Sequence, residues 1–161
     1  MATAIPELIA SVLQTRLQQI TVANGYEVTV SEVVRPTRES DIQPKDNQII
    51  FSLAELTRTT ELDCQGNPPA YAWTQSYNIN AVLRPSEKSL TPSATLQNTI
   101  MADMTKAITA GAAWWKMGGN AMNTIFASSD TYDATDGSSA GVRIVLQVVF
   151  RAAANNPYDP R

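Results

Sequence analysis

Histidine is absent from the 161 residues. Its absence removes the side chain most often used as a general base, and the commonest metal ligand. Cysteine occurs once, at Cys64, so the chain cannot close an internal disulfide and suits a reducing compartment. No apolar run approaches the ~20 residues that a membrane-spanning helix needs. The opening Met-Ala-Thr-Ala-Ile-Pro-Glu lacks the basic segment of a signal peptide, so none is expected. Positive charge is scarce as well. Twelve Lys and Arg against 15 Asp and Glu leave a net charge of −3, which excludes a strongly basic nucleic-acid face as the main surface. Arg35, Arg38 and Arg58 lie in or beside expected loops and leave room for a local basic patch.

What is present is an ordinary globular composition. Forty-three percent of the residues are apolar and 17% charged, which argues against a disordered chain. The length suits a single domain with a sizeable core. The organising stretch is Gly141 to Arg151. Val142, Ile144, Leu146, Val148 and Phe150 line one face without interruption, and Val145 and Val149 enrich the other. Alternation of this kind predicts a strand at the centre of a sheet, with its second face partly covered.

Ahead of that strand the periodicity sets out the other elements. Ile5, Leu8, Ile9, Val12, Leu13, Leu17 and Ile20 form a helical stripe over residues 5–23, ended by Asn24-Gly25. Tyr26–Val34 alternates as a strand and stops at Arg35-Pro36. Residues 36–47 read as a polar loop. Gln48–Leu56 and Tyr71–Leu83 read as the arms of a long antiparallel hairpin, joined by turn residues at 57–70. Its protruding aromatics Tyr71 and Trp73 either cover a neighbouring subunit or pack on the hairpin's own surface. Thr91-Pro92 opens a second helix, with Thr91 as N-cap and a stripe from Leu96 to Trp115, ended by Gly118-Gly119-Asn120. Of the adjacent pair Trp114-Trp115, Trp114 is expected to face outward as a contact for another chain. Met122–Ser128 reads as a short strand, residues 129–140 as a loop, and residues 152–161 as an extended tail. The order α-β-β-β-α-β-β predicts an α+β domain over residues 1–151. Its antiparallel sheet has about five strands and two helices on one face.

Nothing in the pattern supplies chemistry. Asp130, Asp133 and Asp136 precede Gly137, but their spacing is not that of a calcium loop and no bidentate glutamate follows. Ser138, Ser139 and Cys64 have no histidine to activate them. The glycines at 118 and 119 follow a helix rather than opening one, so they form no phosphate loop. The expectation is a non-enzyme without cofactor or metal.

The layout and several short phrases resemble the tail terminator, or tail-completion, family of long-tailed bacteriophages. They are the opening helix running into Asn24-Gly25-Tyr26, Val33-Val34-Arg35-Pro36, Gln48-Ile-Ile-Phe-Ser52 after a Pro-containing loop, the long hairpin, the helix from Thr91 to Trp115, and Arg143–Arg151 leading into Asn156-Pro157-Tyr158-Asp159-Pro160. The resemblance spans nearly the whole chain, with no single diagnostic motif. It implies a structural virion protein at the head-proximal end of the tail, assembled in the host cytoplasm. Such a protein forms a ring, by family similarity a homohexamer, that caps the tail tube, stops its growth and joins neck proteins. In a contractile tail it also meets the sheath. Genomic DNA only passes through the lumen, which in a ring of chains at −3 each is expected to be lined by acidic side chains. The residues expected at contacts with other subunits, tube or neck are Arg35, Arg38, Arg58, Tyr71, Trp73, Trp114, Asp130, Asp133, Asp136, Pro157 and Tyr158. A different head–tail joining protein, or a small ligand-binding α+β domain, is the alternative.

Overall fold

In the computed structural model the described residues are 3–35, 42–63, 70–85, 91–133, 139–153 and 156–160; the side chains of 60–63, 153 and 156–160 lie outside the description. The elements in chain order are α1 (Ile5–Gln18), β1 (Glu32–Val34), β2 (Ile49–Asp63), β3 (Ala70–Leu83), α2 (Ser93–Ile108), β4 (Asn123–Asp133), β5 (Ala140–Ala153) and β6 (Asn156–Pro160). Short 3-10 turns occupy Val22–Asn24 and Trp114–Gly119. The fold is α+β, but its sheet is mixed rather than antiparallel. Strands run in the order β1-β2-β3-β5-β4, β1 is parallel to β2, and β6 pairs with β5.

As its sequence requires, β5 lies between β3 and β4. Val142, Ile144, Leu146 and Val148 are fully buried, in one core with Phe51 and Leu53 of β2 and Tyr77, Ile79 and Leu83 of β3. Both helices close that face: Ile9, Leu13 and Leu17 come from α1, and Ile100, Met104 and Ile108 from α2. Burying a side chain of this size contributes roughly 1.5–3 kcal/mol, so this single layer dominates stability.

Several expectations are corrected, each for a physical reason. Residues 26–31 are not a strand. The Asp103 carboxylate on α2 accepts the Glu27 and Val28 N–H groups at 2.8 and 2.9 Å, which takes them from any ladder. The following N–H groups of Val30 and Ser31 go to the carbonyls of Ile20 and Ile49. Thr91 does not cap α2; Pro92 is the cap residue, with no side-chain bond. That helix ends at Ile108 instead of running on to Gly118. Arg16 of α1 donates to the Ile108 and Trp114 carbonyls at 2.6 and 3.2 Å, satisfying the helix end where the chain turns away. Gly111, at φ +92, makes that turn in a conformation glycine adopts without strain.

β2 continues through Asp63 where turn residues were expected, with a register shift between Glu55 and Arg58. Pairing with β3 carries polar residues that would not form a strand alone. For the same reason β4 extends to Asp133 along β5, so Asp130 and Asp133 lie on a strand and not in a loop. The tail is extended as expected, but Asn156–Pro160 pairs with β5 rather than standing apart.

The second face of the sheet carries neither helix. Across four strands one row reads Ser52, Asn80, Arg143, Asp130. Arg143 donates from Nε to Asn80 Oδ1 at 3.2 Å and lies over the Tyr132 ring. Ser52 is 1% exposed and its hydroxyl finds no partner among the described residues. Tyr132 in turn covers Gly141, its register partner, where a Cβ would come within 2.2 Å of the ring.

Candidate interaction surface

The side chains singled out from the sequence fall into three places. The first is where β2, β3 and β5 run past the start of α1. Here Arg35, just after β1, forms an ion pair with Glu7 of α1 and another at 2.8 Å with Glu55 of β2. Arg58 follows the β2 register shift, donates from Nε to Gln75 Oε1 at 2.7 Å, and stands 5.8 Å over the Trp73 ring. Trp73 lies 6.5 Å from Phe150 of β5 with nearly parallel planes, and Tyr71 lies 6.2 Å from Trp73 with tilted planes. So Arg35, Arg58, Tyr71 and Trp73 do come together. The two aromatics pack on their own chain's surface, remaining half-buried.

Magnitudes decide what this cluster can do. Partly exposed ion pairs contribute about 0–1 kcal/mol each and a cation–π contact about 0.5–1 kcal/mol, so the network adds little to stability. What it does is hold two guanidinium groups and an indole in fixed positions on a partly exposed surface. The hydrogen bond to Glu7 is the main cause that holds Arg35 in its charged form. Beneath the cluster the Tyr77 hydroxyl donates to the Pro6 carbonyl at 3.0 Å, tying α1 to β3. Burial pushes the Tyr77 phenol up, and the nearby Glu55 carboxylate adds to the shift. Glu7, Glu55 and Gln75 were not picked out as contact residues from the sequence, and Phe150 was read only as part of the apolar face of β5. Only a known strand register places Glu55 and Gln75 beside the arginine.

The second place is the outer strand β4. Asp130 is exposed there, in register with Arg143. Asp133 accepts from Gln97 Nε2 at 3.0 Å and from Ser93 Oγ at 3.3 Å, which fastens β4 to α2. The third is the turn after α2, where the expected roles of the tryptophans are exchanged. Trp114 is half-buried, 5.9 Å from Phe126, and Trp115 is the one turned out, 37% exposed. Arg38 and Asp136 lie outside the described residues. Pro157 and Tyr158 fall on β6, but their side chains lie outside the description too.

Among the described residues no three His, Cys, Asp or Glu side chains converge as a metal site would need. A shallow cleft of about 330 Å³ lies between the 28–29 segment and the β2–β3 end, and among the described residues its single charged lining residue is Arg84. That arginine pairs with Asp46 at 3.1 Å, and none of the residues with displaced pKa values lines the cleft. No helix among the described residues is long and apolar enough to cross a membrane. Neither a protein-family model nor a curated protein sequence matches the chain.

Proposed function

We propose that this chain is a structural subunit of the tail terminator kind. Copies of it close into a ring, by family resemblance a hexamer, on the head-proximal end of a phage tail tube. The ring stops tube growth and presents the surface that neck proteins meet, and the sheath too if the tail contracts. The observation that carries the reading is the long β2–β3–β5 extension past the helices. There, ion pairs and ring contacts that add little to stability hold Arg35, Arg58 and Trp73 in fixed positions. Surfaces organised this way are what recognition uses: arginine and large aromatics anchor interfaces. A ring also needs two different surfaces per copy, one to meet the other on the next. The overhanging end and the β4 side supply two unlike ones, the first with arginines and the second with Asp130 and Asp133.

The test is assembly. Size-exclusion with light scattering, followed by electron microscopy, is expected to give rings, alone or on isolated tail tubes, and adding the protein to growing tubes is expected to stop elongation. A protein that stays monomeric at micromolar concentration, and neither binds tube ends nor limits tube length, overturns the reading.

A further inference from the structure

β4 is an outer strand and pairs with β5 alone among the described residues. Both ends of its edge are closed from within the chain. Asn123 Oδ1 accepts the Thr124 N–H at 2.9 Å, the Tyr132 carbonyl accepts from Gln97 Nε2 at 3.0 Å, and Asp133 accepts from Gln97 and Ser93. What is left is Ile125–Thr131, seven residues by count. Alternate residues of an outer antiparallel strand turn their N–H and C=O groups away from the sheet, and proteins usually guard such groups with lysine, proline or a very short strand. This stretch contains neither lysine nor proline.

Its two ends differ in chemistry. Phe126 lies on the helix-bearing face, in register with Leu146, and forms a ring group with Trp114 at 5.9 Å and Trp115 next to it. Trp115 is 37% exposed, and its carbonyl accepts from the Thr124 hydroxyl at 2.8 Å, which fixes the group beside the strand. Asp130 lies on the opposite face, in register with Arg143. It is exposed and forms no ion pair among the described residues, because Arg143 donates to Asn80 instead. Counted along β5 from Leu146 to Arg143, the two features stand three residue pairs apart.

We infer that Ile125–Thr131 receives an extended strand of another protein, and that this strand carries an apolar side chain and a lysine or arginine three residues apart. Backbone hydrogen bonds supply the affinity in this mode of recognition, and side chains on alternating faces supply the selectivity. The apolar side chain meets Phe126 and the exposed part of the ring group, while the cation meets Asp130 on the other face. A spacing of three puts the two on opposite faces, as the features of β4 require. The antiparallel arrangement is the more stable one, and it puts the cation first and the apolar residue three positions later.

Charge selects a foreign strand over a second copy. β1, β4 and β6 contain no lysine or arginine, so none of them brings a cation to Asp130, and β3 and β5 are interior. β2 has Arg58 alone, bonded to Gln75 Oε1 and 3.8 Å from Glu55. Three residues to either side of Arg58 stand Glu55 and Glu61, where the apolar side chain would have to be. Asp130 and the register shift between Phe126 and Ser128 thus deter copies of this chain, as charges and bulges on outer strands do, while Asp130 favours a cationic partner. The inference does not depend on the ring reading, in which the Asp133 end of β4 remains for a neighbouring copy to meet.

The probe is a synthetic, threonine-rich strand peptide with one lysine and, three positions on, one leucine. Tryptophan fluorescence follows binding, and amide chemical shifts place it. Binding is expected, with the shifts concentrated in Ile125–Thr131. A peptide with glutamate in place of the lysine should bind about tenfold more weakly, because the attraction at Asp130 becomes a repulsion across the strand pair. In Asp130→Asn protein the two peptides should bind alike, and Trp115→Ala should weaken both; circular dichroism checks that each variant is folded. A peptide N-methylated at the amides that face β4 should not bind. Absence of binding by the lysine peptide at millimolar concentration overturns the inference, as does equal binding of its N-methylated form. Equal binding of the lysine and glutamate peptides to the parent overturns the charge selection. Rings in which the next copy protects the Ile125–Thr131 amides overturn the foreign strand and leave the ring reading standing.

Discussion

One strand, β3, passes through two different settings. Beneath the helices it carries Tyr77, Ile79, Ala81 and Leu83, none more than 1% exposed. Beyond them it carries Tyr71 and Trp73, half-buried and covered mainly by each other, by Phe150 and by Arg58. The same alternation continues through both halves, so the pattern of side chains does not make the difference. Both helices lie over the first half, while the second lies beyond the point where Pro6 of α1 accepts from Tyr77, with Phe150 and Ala152 still buried. The clad half holds most of the core; the far half adds Phe150 and Ala152, each 2% exposed, alongside ion pairs and ring contacts that themselves contribute little to stability.

Substitutions in the two halves should separate accordingly. Leu146→Asp, in the middle of the clad layer and fully buried, is expected to abolish folding. An unpaired charge there costs more than the roughly 5 kcal/mol at which many domains unfold. Cooperative unfolding of soluble protein near the parent temperature would show the layer is misassigned. Asp103→Ala leaves the Glu27 and Val28 N–H groups without their carboxylate and should lose about 2–3 kcal/mol in denaturant unfolding. Asp103→Asn, which keeps an acceptor, should lose less. Gly141→Ala forces the Tyr132 ring to swing aside and is expected to lose about 1–2 kcal/mol. If stability is unchanged, the ring moves without resistance and does no packing there.

Tyr77 marks the boundary between the halves. Its phenol is raised above the ordinary value near 10, so folding favours the neutral form. The stability this contributes is complete below about pH 10 and is lost as pH climbs from there toward the folded value. Tyr77→Phe should therefore lose about 1 kcal/mol at neutral pH, with less decline than the parent in alkali. An identical alkaline decline in the variant would assign the effect to other groups. The smallest effect on stability belongs to the far half. Arg58→Ala should change unfolding by less than about 1 kcal/mol yet reduce ring formation in light scattering. A large loss of stability there would erase the contrast between the halves.

Much of the clad half was legible in the sequence. The β5 alternation, the hairpin and the two amphipathic helices all follow from periodicities that one buried layer imposes. What escaped depends on partners distant in the chain. Tyr26–Ser31 alternates like a strand, but its N–H groups are claimed by a carboxylate some 75 residues away. Ser128-Ser-Asp-Thr-Tyr-Asp133 has the composition of a turn, and only pairing with β5 draws it into an edge strand. The roles of Trp114 and Trp115 were exchanged because α2 stops at Ile108, capped by Arg16, so the helical spacing no longer applies to them. For the candidate surface the sequence offered the arginines and aromatics singly. It gave no sign of Glu7, Glu55 and Gln75, which hold them and are brought there by the fold.

The position of β5 also bears on how the molecule is made. It is inserted between β3 and β4, yet follows both in the chain, so a nascent polypeptide emerging as far as Asp133 has the two flanking strands but not the one that joins them. Until Ala140–Ala153 arrives, Ile100 and Met104 lack much of the surface that buries them. Completion is then a single late event of long sequence separation, of the kind that folds slowly and leaves apolar surface open meanwhile. During synthesis the α2 side chains that β5 covers stay exposed until that last insertion is done.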